Sequence, residues 1–140
     1  MQYKRFNDTY MVRFDKGEEI TRSLTALCEA EQIRLAQVDA IGATDHTVIG
    51  VFDPKAKAYC QEELDGLMEI TGLTGNVTFV NGKPYIHLHT ILADENHTVH
   101  SGHVIELRVG LTCEMFVRVL EGEVGRQRNE ELGINLWKFD

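Results

Sequence analysis

The sequence predicts an α+β fold, a single domain over residues 1–140 in which a largely antiparallel mixed sheet packs against a helix. Three observations carry that expectation. One segment has the apolar spacing of an amphipathic helix, about eight short segments have strand composition or alternation, and the signals between the strands are hairpin turns. No repeat, low-complexity run or linker divides the chain, and at this length about 68% of the unfolded surface can be buried, enough for a core without disulfides.

In order, "TYMVRF" (9–14) is rich in strand formers and ends at Asp15-Lys16-Gly17, a turn signal. "EEITRSLTALCEAEQI" (18–33) reads as the helix, because Ile20, Leu24, Leu27, Cys28 and Ile33 recur mostly at spacings of three and four. Glu18 and Glu19 at its start suit the positive end of the helix dipole. "AQVDAIGA" (36–43) is a small, mostly apolar run with the character of a buried strand. "HTVIGVFD" (46–53) is the next strand, paired with "KAYCQEEL" (57–64) around the Asp53-Pro54-Lys55 turn. "LMEITGLTGNVTFV" (67–80) is a longer strand whose Gly72 and Gly75 suggest a bulge or a close backbone approach.

Asn81-Gly82 is a two-residue hairpin signal leading into "KPYIHLHTIL" (83–92). "ADENHTVHSG" is loop-like. "HVIELRVG" (103–110) and "TCEMFVRVLEG" (112–122) follow as two strands with Gly110 marking the turn between them, and "INLWKF" (134–139) closes the chain as another alternating segment.

Composition narrows the function. Hydrophobic residues make up 43% and charged residues 26%, a globular balance. No apolar run approaches the ~20 residues that span a bilayer, and the start "MQYKRFNDTY" is polar and mixed, unlike a secretory leader, so the expected compartment is the cytoplasm. Fourteen Lys+Arg against 22 Asp+Glu give a net charge of −8, the wrong sign for a domain that holds nucleic acid through its phosphates. The densest basic stretch, Arg126 and Arg128, sits among Glu121, Glu123, Glu130 and Glu131. Cys28, Cys60 and Cys113 are odd in number and widely spaced, neither a disulfide framework nor a zinc ribbon, and Cys28 and Cys113 read as buried thiols.

Five of the six histidines fall between residues 85 and 107. Strand side chains alternate, so His87 and His89 point the same way with Cα atoms about 7 Å apart. His103, opening the following strand, would return beside them in a hairpin. Two imidazoles converging on one ion with a third from the next strand match an open metal site, which leaves a position for water or substrate. Neutral imidazole also suits nickel, iron or copper, so ligand type alone does not name the metal. His97 and His100 are expected as exposed titrating loop residues, and His46 as a surface or capping group.

Glu69, Glu106 and Glu114 lie in strand patterns, with Glu106 and Glu114 expected on polar faces; a carboxylate near the histidines could assist a metal-bound water or orient a ligand. There is no G-x-S-x-G, P-loop or G-x-G-x-x-G. A cupin pattern wants glutamate four or five residues after the second histidine of H-x-H, whereas Glu95 comes six after His89 and a second cupin motif is missing.

"MEITGLTGNVTFVNGKPYIHLHTILAD" and "SGHVIELRVGLTCEMFV" resemble the PPC family, the plant and prokaryote conserved domain. The matching features are Leu73 to Asn76 (L-x-G-N), His87 and His89, Gly102-His103, and Thr112 with Glu114; upstream, "DAIGATDHTVIGVFDPKAKAY" resembles the family's G-x-G segment and hairpin. The resemblance covers nearly the whole chain. It implies a homotrimer and a metal, zinc first among them, held by His87, His89 and His103. In plants the domain stands behind AT-hooks that hold DNA, and it drives assembly and contacts other proteins; prokaryotic members carry a DNA-binding label by that analogy. Here there is no R-G-R-P hook, and Ser101 replaces the first glycine of G-G-H.

Three functional expectations result: a trimeric module with a three-histidine metal site open to a small anionic ligand or a protein partner, a metal-dependent enzyme acting on a small molecule through a zinc-bound water assisted by Glu114 or Glu69, and a transcription-associated DNA or protein binder. The sequence assigns no catalytic residue and no organic cofactor, and direct DNA contact is disfavoured by the charge.

Overall fold

The structure, a computed structural model, describes residues 1–139. In chain order it contains β1 (Gln2–Phe6), β2 (Thr9–Asp15), α1 (Ile20–Ala30), β3 (Ala36–Asp53), β4 (Ala58–Val80), β5 (Lys83–Ala93), β6 (Val99–Val119), β7 (Gly125–Asn129) and β8 (Ile134–Lys138). Six strands form one sheet in the order β1-β2-β6-β3-β4-β5, and β5 also pairs with β6, so β3 to β6 close on themselves. The sheet is antiparallel as expected; among the described residues every strand pairing is so, and the mixed character expected of it is not seen. The helical layer is one short element of 11 residues.

The helix is shorter than the 18–33 expected. Glu19 is its N-cap, its carboxylate accepting from the Thr21 and Arg22 amides at 3.0 and 2.6 Å. Glu18 turns away and accepts from the N-terminal amine. At the other end Gln32 adopts φ 55°, which ends the helix and turns Ile33 back into the core. Ile20, Leu24, Leu27 and Cys28 are the buried stripe, packed with Tyr10, Phe14, Leu88, Leu107 and Val117 of the sheet. Cys28 and Cys113 are both buried, as expected of inert thiols, whereas Cys60 is exposed.

Three strands run through positions where the sequence suggested breaks. Segments 36–43 and 46–53 are the single strand β3, with register shifts between Ala40 and Gly42 and between Thr44 and His46. There the buried Thr44 hydroxyl donates to the Arg108 carbonyl at 2.7 Å and stands 2.8 Å from the Thr47 hydroxyl, satisfying groups the irregular ladder leaves. Segments 57–64 and 67–80 are likewise one strand, β4, passing Gly66 at φ 106°. Gly110 is not a turn. It lies inside β6 where a Cβ would come within 2.8 Å of the backbone of Thr44 and Asp45, so its bareness serves a close strand approach.

The expected loop 93–102 shrinks to 94–98, folded around the Asp94 carboxylate, which accepts from the Asn96 and Thr98 amides at 2.8 Å each. Asn81 and Gly82, at φ 51° and 80°, make the tight hairpin between β4 and β5 as their residue types predict. Of the expected segment 134–139, Ile134–Lys138 form β8, paired with β7 in a separate two-stranded sheet. Neither β1 nor β7 is legible as a strand in the sequence.

Candidate metal and ligand site

Leu88 is 2% exposed and faces the core, so alternation along β5 sends His87 and His89 to the opposite face. Two glycines keep the backbone where these side chains need it. Gly75 sits opposite Leu88 on β4, and a Cβ there would fall onto the His87 carbonyl. Gly102 precedes His103, and a Cβ on it would stand 3.0 Å from the Gly50 carbonyl, so β6 lies tight on β3 at this point. His103 is the direct cross-strand partner of His89, four residues inside β6 and not at the strand's opening as expected.

The three imidazoles form a near-equilateral cluster, with ring centroids 5.2 Å (His87–His89), 5.1 Å (His87–His103) and 5.4 Å (His89–His103) apart. One ring nitrogen from each lies within 4.8 Å of the other two. The Nε2 atoms of His87 and His89 are 3.3 Å apart. Two nitrogens bound at ~2.0–2.1 Å to one tetrahedral ion stand about 3.3–3.4 Å apart, so this pair has the spacing of two donors on a single ion.

Electrostatics favour the same use. Burial first, then the neighbouring His103, Arg126 and His89, lower the His87 pKa to about 4. Burial, with His89 behind it, also lowers that of His103. Both rings are therefore neutral at physiological pH and hold lone pairs for a cation. Tyr59 stacks on the His103 ring at 4.6 Å and 16°, fixing its plane. Among the described residues, His103 Nδ1 is the one buried side-chain polar atom without a hydrogen-bond partner. An orphaned ring nitrogen is costly unless a bound species uses it. Donor type, spacing and protonation state all fit a transition metal of the zinc, nickel, copper or iron group.

The cluster lines a cleft of about 670 Å³, together with Tyr59, Tyr85, Phe52, Ile134 and Arg126. No carboxylate of the described residues lines it. Glu69, Glu106 and Glu114 are exposed and none of them lines the cleft, with Glu114 paired between Arg13 and Ile41, so neither Glu114 nor Glu69 is placed to assist at the histidines. His97 lies exposed in the loop, and His100 is half-buried near Glu62 and Asp94 at 3.7 and 3.9 Å, outside the cluster. His46 makes a surface pair with Asp65 at 2.8 Å, which raises its pKa.

Sequence reasoning missed Tyr59, Tyr85 and Arg126. Tyr85 had a signal, since it shares the period-two face of His87 and His89. Arg126 had none. It reaches the site from β7 through contacts some 50 residues distant in sequence, donating to Asn76 Oδ1 at 2.9 Å.

The fold and site define a small antiparallel domain, closed around its core, that presents three convergent histidines in a cleft. The chain belongs to the Plants and Prokaryotes Conserved (PCC) domain family, whose model matches residues 1–121. Solved structures similar to it include a metal-containing protein from Archaeoglobus fulgidus, 33% identical, covering 99% of both chains with a TM-score of 0.89. A candidate DNA-binding protein from Bacteroides thetaiotaomicron is 30% identical over 99% of this chain and 96% of its own, with a TM-score of 0.95. A plant- and prokaryote-conserved (PPC) protein from Pyrococcus horikoshii is 29% identical over 99% and 94%, with a TM-score of 0.87. No curated protein matches the chain. Among the described residues no helix is long and apolar enough to cross a membrane.

Proposed function

We propose that this chain is a trimeric module in which His87, His89 and His103 of each subunit hold one transition metal, zinc foremost, in a cleft that admits a small molecule. The observation that carries the metal is the convergence of three ring nitrogens within 4.8 Å of one another. The metal-containing relative at 33% identity supports it. His87, His89 and His103 would hold the ion, and zinc bound there would supply a Lewis acid. The chain's own residues do the rest: Leu88 and Gly75 set the direction of the β5 histidines, and Tyr59 holds the plane of His103.

Assembly is supported by the outer face of the sheet. Met11 and Phe116 are cross-strand partners there, 47% and 49% exposed, and Ile41 and Leu111 are 60% and 54% exposed. Exposed large apolar side chains on one sheet face are characteristic of a surface that another protein covers, and the outer edge of β1 is unpaired in the single chain. Copies of this chain are the first candidates, and a different protein partner is the second.

A metal-dependent enzyme acting on a small molecule is the alternative, favoured by a cleft of small-molecule size beside the histidines. Direct DNA binding is disfavoured by the charge of −8. Zinc titration of metal-stripped protein followed by sedimentation equilibrium tests the proposal, with one zinc per chain and a trimer mass expected. A monomer that takes up no zinc would refute both parts.

A further inference from the structure

One wall of the cleft carries a cation with no acidic partner among the described residues. Arg126, on β7, lies beyond residue 121, where the family model ends, and its guanidinium carbon sits over the Tyr85 ring, 4.3 Å from the centroid. Its Nε donates to Thr78 Oγ1 at 2.8 Å, one terminal nitrogen to Asn76 Oδ1 at 2.9 Å and the other to the Asn135 carbonyl at 3.1 Å. These three acceptors are neutral. A guanidinium has five N–H donors, so two remain, one on each terminal nitrogen.

The strand register sets this cation beside the histidines. Asn76 pairs with His87 and Thr78 with Tyr85, so Arg126 spans the rungs that carry His87 and its neighbour on the same face. Its charge is one cause of the low His87 pKa. Arg128 and Lys57 line the same cleft. Among the described residues none of the three forms an ion pair with a carboxylate. A half-buried guanidinium held by neutral groups, with no carboxylate in the cleft, is a charge that lacks its partner.

We propose that Arg126 is the anchor for the carboxylate of a small organic acid, whose apolar body lies between Phe52, Tyr59 and Ile134 in the same cleft. Two free N–H groups on a guanidinium held over the Tyr85 ring suit the two oxygens of a carboxylate. The volume of about 670 Å³ is that of a small-molecule pocket, and Val51, Phe52, Tyr59 and Ile134 give it an apolar side. The assignment deepens the metal-site reading and rests on it only for the ligand's second contact, at the histidine cluster.

The test is a titration of zinc-loaded protein with benzoate, benzamide and inorganic phosphate, on the wild type and on Arg126→Gln and Arg128→Gln, with metal per chain measured on each sample. Benzoate should bind at least tenfold more tightly than benzamide. Arg126→Gln should abolish that preference while keeping its zinc, and the exposed Arg128→Gln should weaken benzoate by a few-fold without touching the Arg126 hydrogen bonds. Equal binding of benzoate and benzamide, or phosphate binding more tightly than benzoate, would overturn the carboxylate assignment. If Arg126→Gln does not fold, an unchanged benzoate preference in Arg128→Gln would overturn the cationic cleft, and a reduced one would support it. If the wild type holds no zinc the metal reading fails by itself; the benzoate preference of that metal-free sample then decides the Arg126 assignment, its presence supporting it and its absence overturning it.

Discussion

His89 and His103 face each other directly across the β5–β6 ladder, with ring centroids 5.4 Å apart. The candidate site is therefore a product of strand register: its three imidazoles project from two paired strands, and the loop between them contributes none. A disturbance of the ladder should be felt at the histidines even when no histidine is changed.

Gly75 and Gly72 test this on one strand. Gly75→Ala would press a methyl group onto the His87 carbonyl, whereas the same change at Gly72 meets nothing within 4 Å. Gly75→Ala should lower stability by roughly 1–3 kcal/mol in urea unfolding and reduce zinc uptake. Gly72→Ala should stay within about 0.5 kcal/mol of the wild type with uptake intact. Similar behaviour of the two variants would show that backbone approach at Gly75 is not what positions His87.

The pair His46–Asp65 gives a pH signature away from the cleft. Hydrogen bonding to Asp65 raises the His46 pKa above its ordinary 6.5, so the folded state holds the proton more strongly than the unfolded chain. That contribution is fully present below the unfolded value and is lost as pH rises through the raised folded pKa. Asp65 is exposed, so the effect should not exceed about 1 kcal/mol. The Tm difference between wild type and Asp65→Asn should shrink from about pH 6 to about pH 8.5. A difference that grows with pH would contradict the assignment.

Burial pushes the thiols of Cys28 and Cys113 up to about 12, while Cys60 is exposed. A thiol-disulfide reagent at neutral pH should titrate one cysteine per native chain and all three after denaturation, with Cys60→Ser abolishing the native signal. Rapid reaction of more than one thiol in the folded protein would mean that the helix does not seal against the sheet as described.

The site was more legible in the sequence than the strand boundaries were. His87 and His89 share a face because strand alternation is local, and Asn81-Gly82 announces its hairpin because positive φ at both positions selects those residue types. The same local logic failed at Gly110, where a glycine that looked like a turn permits the backbone of Thr44 and Asp45 to lie against β6. It failed at β7 for a related reason: "GRQRN" has no apolar alternation and is organised by Arg126 reaching Asn76 and Thr78 on a distant strand. Arg126 stood out in the sequence only as a basic residue among glutamates, and its position in the cleft depends on tertiary packing.

The central claim, that three histidines hold one metal, is tested most directly by elemental analysis of tag-free protein beside a His87→Ala/His89→Ala variant. Near one transition-metal ion per wild-type chain, lost in a variant that remains folded, is the predicted result. Wild-type protein that is metal-free as isolated and binds none when zinc is added would contradict it.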